Sequence, residues 1–374
     1  MTGLAVYLDW NATTPPLPAV VEAMSSAARE TWGNPSSVHA FGRAARARVE
    51  DAREAVARLG RCDPRDVVLV SGGTEANNVA LRSAFAGRTG VLVTSRLEHP
   101  SVVRVAEELE RQGRARVRWL RVDPAGTIDL EDVARALAEG DVRLVAVQSV
   151  NAETGVVQPV AEVLRMAHAA GALVHVDAVQ SFGRLDDLAA GADTRSLAAH
   201  KMRGPKSIGA LLSRPGLAVV PVLQGGSQER GLRPGTVDPV AASGLAAAAR
   251  HALSSPRRWA AVGPLRDALE DGLLAAVAGA RVNGRTASRA PHVASVAFPG
   301  WSSPELVAAL DLEGVAVSGG SACSAGTAEP SSVLVAMGDE AAATSTVRFS
   351  LGEDTTREDV EAALAAARRV LSRI

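Results

Sequence analysis

Two lysines, Lys201 and Lys206, lie five positions apart in the stretch SLAAHKMRGPKSIGALL, and the 374-residue chain has no others. Everywhere else its positive side chains are arginine. Arginine keeps its proton in a protein and cannot serve as a nucleophilic amine. Lysine can lose its proton when burial or neighbours favour the neutral form, and it then condenses with carbonyls. A surface charge needs no such ability, so the composition points to at least one lysine required as an amine. Lys201 follows His200 directly. Lys206 sits in the Gly/Pro-rich turn GPKSIG, where a structural or phosphate-neighbouring role fits better than catalysis.

Other groups fall at the ends of apolar runs. After DVVLV comes Ser71-Gly72-Gly73-Thr74 and then the helical pattern EANNVALRSAF. Glycines let backbone N–H groups approach an anion, and a helix N-terminus adds partial positive charge. The spacing matches neither the dinucleotide G-x-G-x-x-G nor the P-loop, and by itself it is only a strand-to-helix turn. After GVLVTSRL comes Glu98-His99-Pro100, and the proline suits the first turn of a helix. After ALVHV comes Asp177, then Gln180. A carboxylate at the edge of an apolar strand needs a cationic partner or good donors, and a protonated pyridine nitrogen would serve. Phosphate cradle, histidine, carboxylate and amine together are the parts that pyridoxal phosphate requires.

Cys323 lies in SGGSACSAGTAEPSS, residues 318–332, among small residues that would leave its thiol accessible. A thiol near its ordinary pKa is partly thiolate at neutral pH. Cys62, between Gly60 and Pro64, has no such setting and reads as structural. Arg348, in TVRFSLG, offers a guanidinium that could grip a carboxylate in bidentate fashion or form an internal ion pair.

The elements that must position these groups alternate from about residue 45 to 250. Apolar β-branched runs (DVVLV, GVLVTS, VRLVAVQ, ALVHVD) are separated by amphipathic patterns such as VEDAREAVARLG and VAEVLRMAHAAG. Strands buried on both faces and alternating with helices imply an α/β fold with a mainly parallel sheet, whose sites gather at the carboxyl ends of strands. Near residue 251 the texture changes to long Ala-rich helices flanking the short strands ASVAFPG and TVRFSLG, which suggests a smaller α+β domain. The expected division is a large domain over 15–250 and a small domain formed by 1–14 and 251–374, carrying the loop around Cys323.

A net charge of −1 supplies no field for nucleic acid or an acidic membrane. Two cysteines make neither a disulfide framework nor a paired-Cys zinc motif, so no metal is expected. No apolar stretch reaches membrane-spanning length. The N-terminal stretch lacks the pattern of a signal peptide, and the expected location is cytoplasmic.

The residues resemble the cysteine desulfurases that supply sulfur for iron–sulfur clusters, within the class V branch of fold-type I pyridoxal-phosphate enzymes. The resemblance runs through YLDWNATTPP, GNPSSVHAFG, SGGTEANN, EHPSV, VNAETGVVQPV, HVDAVQSFG, AAHKMRGPKSIGAL, GGSQERGLRPGT, SACSAGTAEPS and VRFSLG. It implies that Lys201 holds the cofactor, His99 stacks on its ring, Asp177 pairs the ring nitrogen and Gln180 bonds the phenolic oxygen. Thr74, His200 and the Gly73 backbone would surround the phosphate. Thr236 would reach the phosphate of the other subunit of a homodimer, and Asn151 and Arg348 would lie near the carboxylate of L-cysteine. Cys323 would take the sulfur as a persulfide and pass it to an acceptor protein. The chain departs from the family pattern at Ala198, usually Ser, at Ala152, usually Asn, and at Trp10-Asn11. Alternative readings are a selenocysteine lyase or other class V enzyme, and a non-catalytic scaffold that has kept the fold.

Overall fold

The computed structural model describes residues 6–320 and 329–372. The first described elements are a two-residue strand, β1 (Val6–Tyr7), and the helices α1 (Pro18–Glu30) and α2 (Ala40–Gly60). Strands and helices then alternate: β2 (Val67–Val70), α3 (Gly73–Ala84), β3 (Val91–Ser95), α4 (Pro100–Arg111), β4 (Arg116–Leu120), α5 (Leu130–Ala138), β5 (Val142–Gln148), α6 (Val160–Ala169) and β6 (Leu173–Asp177). Next come β7 (Thr194–Ala198), β8 (Gly209–Ser213) and helix α7 (Pro239–Ala252). The rest runs α8 (Pro256–Ala261), α9 (Gly263–Ala276), β9 (Arg281–Val282), β10 (Val293–Ala297), α10 (Ser303–Leu312), β11 (Val315–Ala316), α11 (Ser332–Ala336), α12 (Glu340–Ser345), β12 (Thr346–Ser350) and α13 (Arg357–Leu371).

Strands β2 to β8 form one sheet in the order β2-β8-β7-β6-β5-β3-β4. Only β8 runs against its neighbours, and the other pairings are parallel. Successive side chains of a strand point to opposite faces, and both faces here are covered. Val67 and Leu69 join one core, packed under α2, α6 and α7, while Val68 and Val70 join the other, under α3 and α4. That double burial is why these strands are continuous apolar runs. The parallel strands deliver their carboxyl ends, and the residues that follow, to one edge of the sheet.

A second, antiparallel sheet has the order β12-β10-β9, and β1 pairs in parallel with β11. Its core unites Val6 and Leu8 with Leu269, Phe298, Phe349 and Val360. Val333, Leu334, Met337 and Ala342, from the C-terminal third, instead pack into the core of the large sheet. Helix α13 starts at a capping box of Thr356 and Asp359 and ends on Arg368 and Arg369, a charge order that suits its dipole. Among the described residues no helix is long and apolar enough to cross a membrane.

The N-terminal segment ties the two sheets together. Asn11 N–H donates to Ser350 Oγ at 2.9 Å. Thr14 donates from both N–H and Oγ1 to the His200 carbonyl at 2.9 Å, and accepts from Arg203 N–H at 2.8 Å. Residues 9–14 therefore run along the base of the turn that carries Lys201.

Candidate active site

The turn after β2 is built for close approach. Gly72 has φ 154° and ψ −172°, a conformation essentially reserved for glycine, and it stands immediately before α3. A Cβ on Gly209 would lie 2.8 Å from Gly72 Cα, and one on Gly73 would lie 2.5 Å from Val179. These glycines let the turn settle against β8 and against the residues after β6. Among the described residues nothing stands within 4 Å of where a Gly72 Cβ would be, so that side of the turn before α3 is open. Thr74 is exposed there. Ala198, the last residue of β7, is buried opposite Gly209 and brings no hydroxyl to this edge.

At the ends of β3 and β6 a polar network of one direction takes shape. Asp177 is 6% exposed. Its Oδ2 accepts from Asn77 Nδ2 at 2.7 Å, and its Oδ1 accepts from Val179 N–H at 3.0 Å and Ser196 Oγ at 3.3 Å. All three donors are neutral. Asn77 Nδ2 also donates to Ser101 Oγ at 2.8 Å, and Asn77 Oδ1 faces His175 Nε2 at 2.9 Å. Burial pushes the His175 imidazole down to about 4, so the ring is neutral. Its Nε2–H then donates to Asn77, while Nδ1 takes the Thr194 hydroxyl at 2.9 Å. His99 caps α4, with Nδ1 accepting from Ser101 N–H at 3.1 Å and lying 2.7 Å from Ser101 Oγ. Nδ1 is thus committed as an acceptor and the ring proton of neutral His99 sits on Nε2. Burial, aided by the Lys201 charge, lowers the His99 pKa, against the pull of Asp177. Beside it Glu98 is 4% exposed, and burial raises its carboxyl well above the usual range.

Lys201 follows β7 on a single 3₁₀ turn, Ala199–Lys201. Its Nζ donates to the carbonyls of Asn11 at 2.5 Å and Ala12 at 2.9 Å. Burial, with the Lys201 and Arg184 charges, holds His200 down at about 4, and its Nδ1 lies 3.3 Å from Thr13 Oγ1. Gln180 is buried, with Nε2 donating to the Asn11 carbonyl at 3.2 Å and Oε1 accepting from Arg184 at 2.9 Å. Lys206 is exposed.

Arg348, on β12, is 2% exposed. It donates to Asp9 Oδ1 at 2.7 Å and to the carbonyls of Ala152 at 3.1 Å and Gly320 at 3.0 Å. Its Nε has no hydrogen-bond partner among the described residues. Asn151 organises the next turn: its Oδ1 accepts from Glu153 N–H, Thr154 N–H and Thr154 Oγ1, and its Nδ2 donates to the Leu97 carbonyl at 3.1 Å. The two departures at 11 and 152 touch, Asn11 Nδ2 donating to the Ala152 carbonyl at 3.0 Å. Thr236 is exposed in the single chain, on a segment tied back to the cradle because Arg233 pairs Glu75, which accepts Ser71 N–H. Cys323 lies outside the described residues. Cys62 is half-buried, and burial raises its thiol.

The strand ends therefore bring Gly72, Gly73, His99, Asp177, Gln180 and Lys201 to one edge of the sheet. A family model, aminotransferase class-V, matches residues 6–363. A cysteine desulfurase of Cereibacter sphaeroides is 42% identical over 362 residues, covering 95% of this chain and 93% of that one. The chain belongs to the cysteine desulfurases of the class-V aminotransferases. The cysteine desulfurase NifS of Azotobacter vinelandii is 39% identical, over 95% of this chain and 90% of its own. A solved NifS-like protein superposes with a TM-score of 0.90 at 34% identity, over 99% of this chain and 100% of that one.

Membership of this family implies use of pyridoxal phosphate, and the residues present fit it. A glycine-only turn, open on one side, leads into a helix N-terminus. Among the described residues a buried carboxylate takes its hydrogen bonds from neutral donors, and an amine and an imidazole of fixed tautomer stand at the adjoining strand ends. Asn77, His175, Ser101 and Arg184 carry no separate sequence signal, and Asn11 stands out only as a departure from the family pattern. Asn77 meets Asp177 across 100 residues and Asn11 meets Arg184 across 173, separations no local pattern reveals.

Proposed function

We propose that the chain is a pyridoxal-phosphate-dependent L-cysteine desulfurase that converts L-cysteine to L-alanine and passes the sulfur, through Cys323, to an acceptor protein for iron–sulfur cluster or thio-cofactor assembly. The observation that carries this is the convergence of the α3 N-terminus, His99, Asp177, Gln180 and Lys201 on one sheet edge. When bound, the cofactor supplies an electron sink for the bond-breaking at the substrate's Cα and Cβ.

The chain's residues divide the remaining tasks. Gly73 N–H, Thr74 and His200 would hold the phosphate, with Thr236 contributing across a homodimer. Asp177 would pair the ring nitrogen and keep its proton in place. Gln180 Nε2 would donate to the phenolic oxygen, and His99, with its proton on Nε2, would stack on the ring. Lys201 Nζ would hold the cofactor and would serve as the base for the substrate Cα proton. Arg348 and Asn151 orient the substrate carboxylate. The Cys323 thiolate attacks the substrate sulfur, the C–S bond breaks, and its electron pair is protonated to give alanine. Cysteine plus one enzyme thiol thus yields alanine plus one enzyme persulfide, with no outside oxidant or reductant.

The test is alanine formation from L-cysteine. Cys323→Ser should retain the bound cofactor and its visible absorption, because Lys201 and Asp177 are untouched, yet lose alanine production by about 100-fold or more, since a hydroxyl is a poor nucleophile at neutral pH. Cys62→Ser should change neither. A Cys323→Ser protein that makes alanine at the original rate would defeat the mechanism and favour another class V reaction.

A further inference from the structure

Arg184 is fully buried, and its guanidinium meets no carboxylate within ion-pair distance among the described residues. A buried cation is costly unless it is well solvated by the protein. Here the solvation is by neutral groups. Nε donates to the Lys201 carbonyl at 2.8 Å, Nη1 to Asn11 Oδ1 at 2.7 Å and Gln180 Oε1 at 2.9 Å, and Nη2 to the Trp10 carbonyl at 3.0 Å. His292 Nε2 lies 3.2 Å from Nη1, and the guanidinium stacks 4.7 Å over the Trp259 ring.

Two of these acceptors belong to residues of the cofactor edge, Lys201 and Gln180. Trp10 and Asn11 lead directly into the two carbonyls, of Asn11 and Ala12, that receive Lys201 Nζ. The same guanidinium holds the Lys201 backbone, so it fixes the amine's attachment point and the amine's acceptors together. It also decides which way the Gln180 amide faces. With Oε1 against the guanidinium, Nε2 is the group left toward Asn11 and the sheet edge. Reversing the amide would set NH₂ against N–H and oxygen against a carbonyl, two repulsive contacts.

We propose that Arg184 is a positioning residue whose forked guanidinium holds the Asn11 and Ala12 carbonyls beneath the Lys201 amine and fixes Gln180 as a hydrogen-bond donor to the cofactor. The first half needs only the geometry of the chain; the second rests on the desulfurase reading. A lone ammonium could not do this, because three atoms in a plane are used at once.

The chain's two lysines make the test direct. The full-length protein freed of cofactor is acetylated with limiting acetic anhydride at pH 8, and the modification of Lys201 is read against exposed Lys206 by peptide mass spectrometry. An ammonium donating to two carbonyls acylates slowly. Arg184→Met releases the segment at 10–12, and the Lys201-to-Lys206 ratio should rise about tenfold, the loss of charge-assisted hydrogen bonding to that amine. Arg184→Lys keeps the charge without the fork and should raise the ratio about threefold by losing part of the same bonding. It carries the test if Arg184→Met does not fold.

In the proteins loaded with pyridoxal phosphate, the pH midpoint of the visible band should rise by about one unit as the donor to the phenolic oxygen is lost. An unchanged labelling ratio in either folded variant would overturn the positioning role. A raised ratio with an unmoved midpoint would overturn the Gln180 half. A wild-type protein that takes up no pyridoxal phosphate would instead defeat the desulfurase reading, and the labelling ratio would still decide the clamp.

Discussion

Asp132 and Asp177 are both buried carboxylates, 1% and 6% exposed, and they are held in opposite ways. Asp132, at the start of α5, accepts from Arg118 at 2.8 Å and Arg135 at 3.2 Å as well as from Arg121 N–H at 2.8 Å. Burial works against its ionisation, but these partners prevail and hold its pKa below the ordinary value. Asp177, at the end of β6, has the neutral donors Asn77, Ser196 and Val179 N–H on its oxygens. The first carboxylate is spent on joining β4 to α5. The second is oriented by dipoles that carry no net charge, which leaves it able to act on a cation arriving from outside. Of these two carboxylates, the one whose charge is met by arginines is structural, and the one held by neutral groups at an open sheet edge has room for a further partner.

Three changes would sharpen or break that contrast. The largest effect is expected from Asp177→Asn, which preserves size but removes the charge. Alanine formation should fall by about 100-fold or more, while the thermal midpoint of the cofactor-free protein stays within a few degrees; activity near wild type would dissolve the distinction. The reverse is expected of Asp132→Asn. It leaves Arg118 and Arg135 without their shared acceptor and should cost about 1–3 kcal/mol in urea unfolding, with alanine formation per folded enzyme unchanged.

The smallest effect concerns pH. The folded pKa of His175, about 4, lies below the ordinary 6.5, so its contribution to stability is fully present above 6.5 and is lost as pH falls through about 4. His200, also near 4, and His292, lowered by burial and then by Arg184, add in the same direction. Buried Glu98 and Glu153, whose pKa values burial raises, act in the opposite direction. A difference measurement isolates one group. His175→Asn should reduce the proton uptake on unfolding at pH 5 by about one; an unchanged uptake would mean that His175 is charged in the fold.

The large sheet was legible because burial on both faces leaves runs dominated by Val and Leu in β2, β3, β5 and β6. Strand β4 was not, since its sequence RVRWL puts arginines on an edge strand, where charge discourages pairing with other chains. The antiparallel return through β8 was hidden in the lysine stretch itself, where GALLS reads only as an apolar run. Lys201, His99 and Asp177 could be expected near one another because each follows an apolar strand-like run, while Gln180 drew its expected role from the family resemblance. Asn77 and Arg184 could not, since an asparagine on a helix and an arginine after a glycine look like ordinary solvated residues until the strands assemble. The sequence marked Asn11 only as a departure from the family pattern, and in the fold it is a hub. Its carbonyl receives Lys201 and Gln180, and its side chain spans Arg184 and the carbonyl of Ala152.

The strap at residues 9–14 sets a timetable for synthesis. Asn11 leaves the ribosome 339 residues before Ser350, the residue whose hydroxyl receives its backbone N–H. At ordinary elongation rates that interval is roughly 17–70 s. In the later part of it, once β8 (Gly209–Ser213) has been made, the large sheet can form while the carbonyls beneath Lys201 have no support from β12. The nascent chain can therefore acquire a folded lobe long before it acquires a finished lysine pocket. The amine gains its full setting only at the end of translation, and a pause late in the message would lengthen that wait.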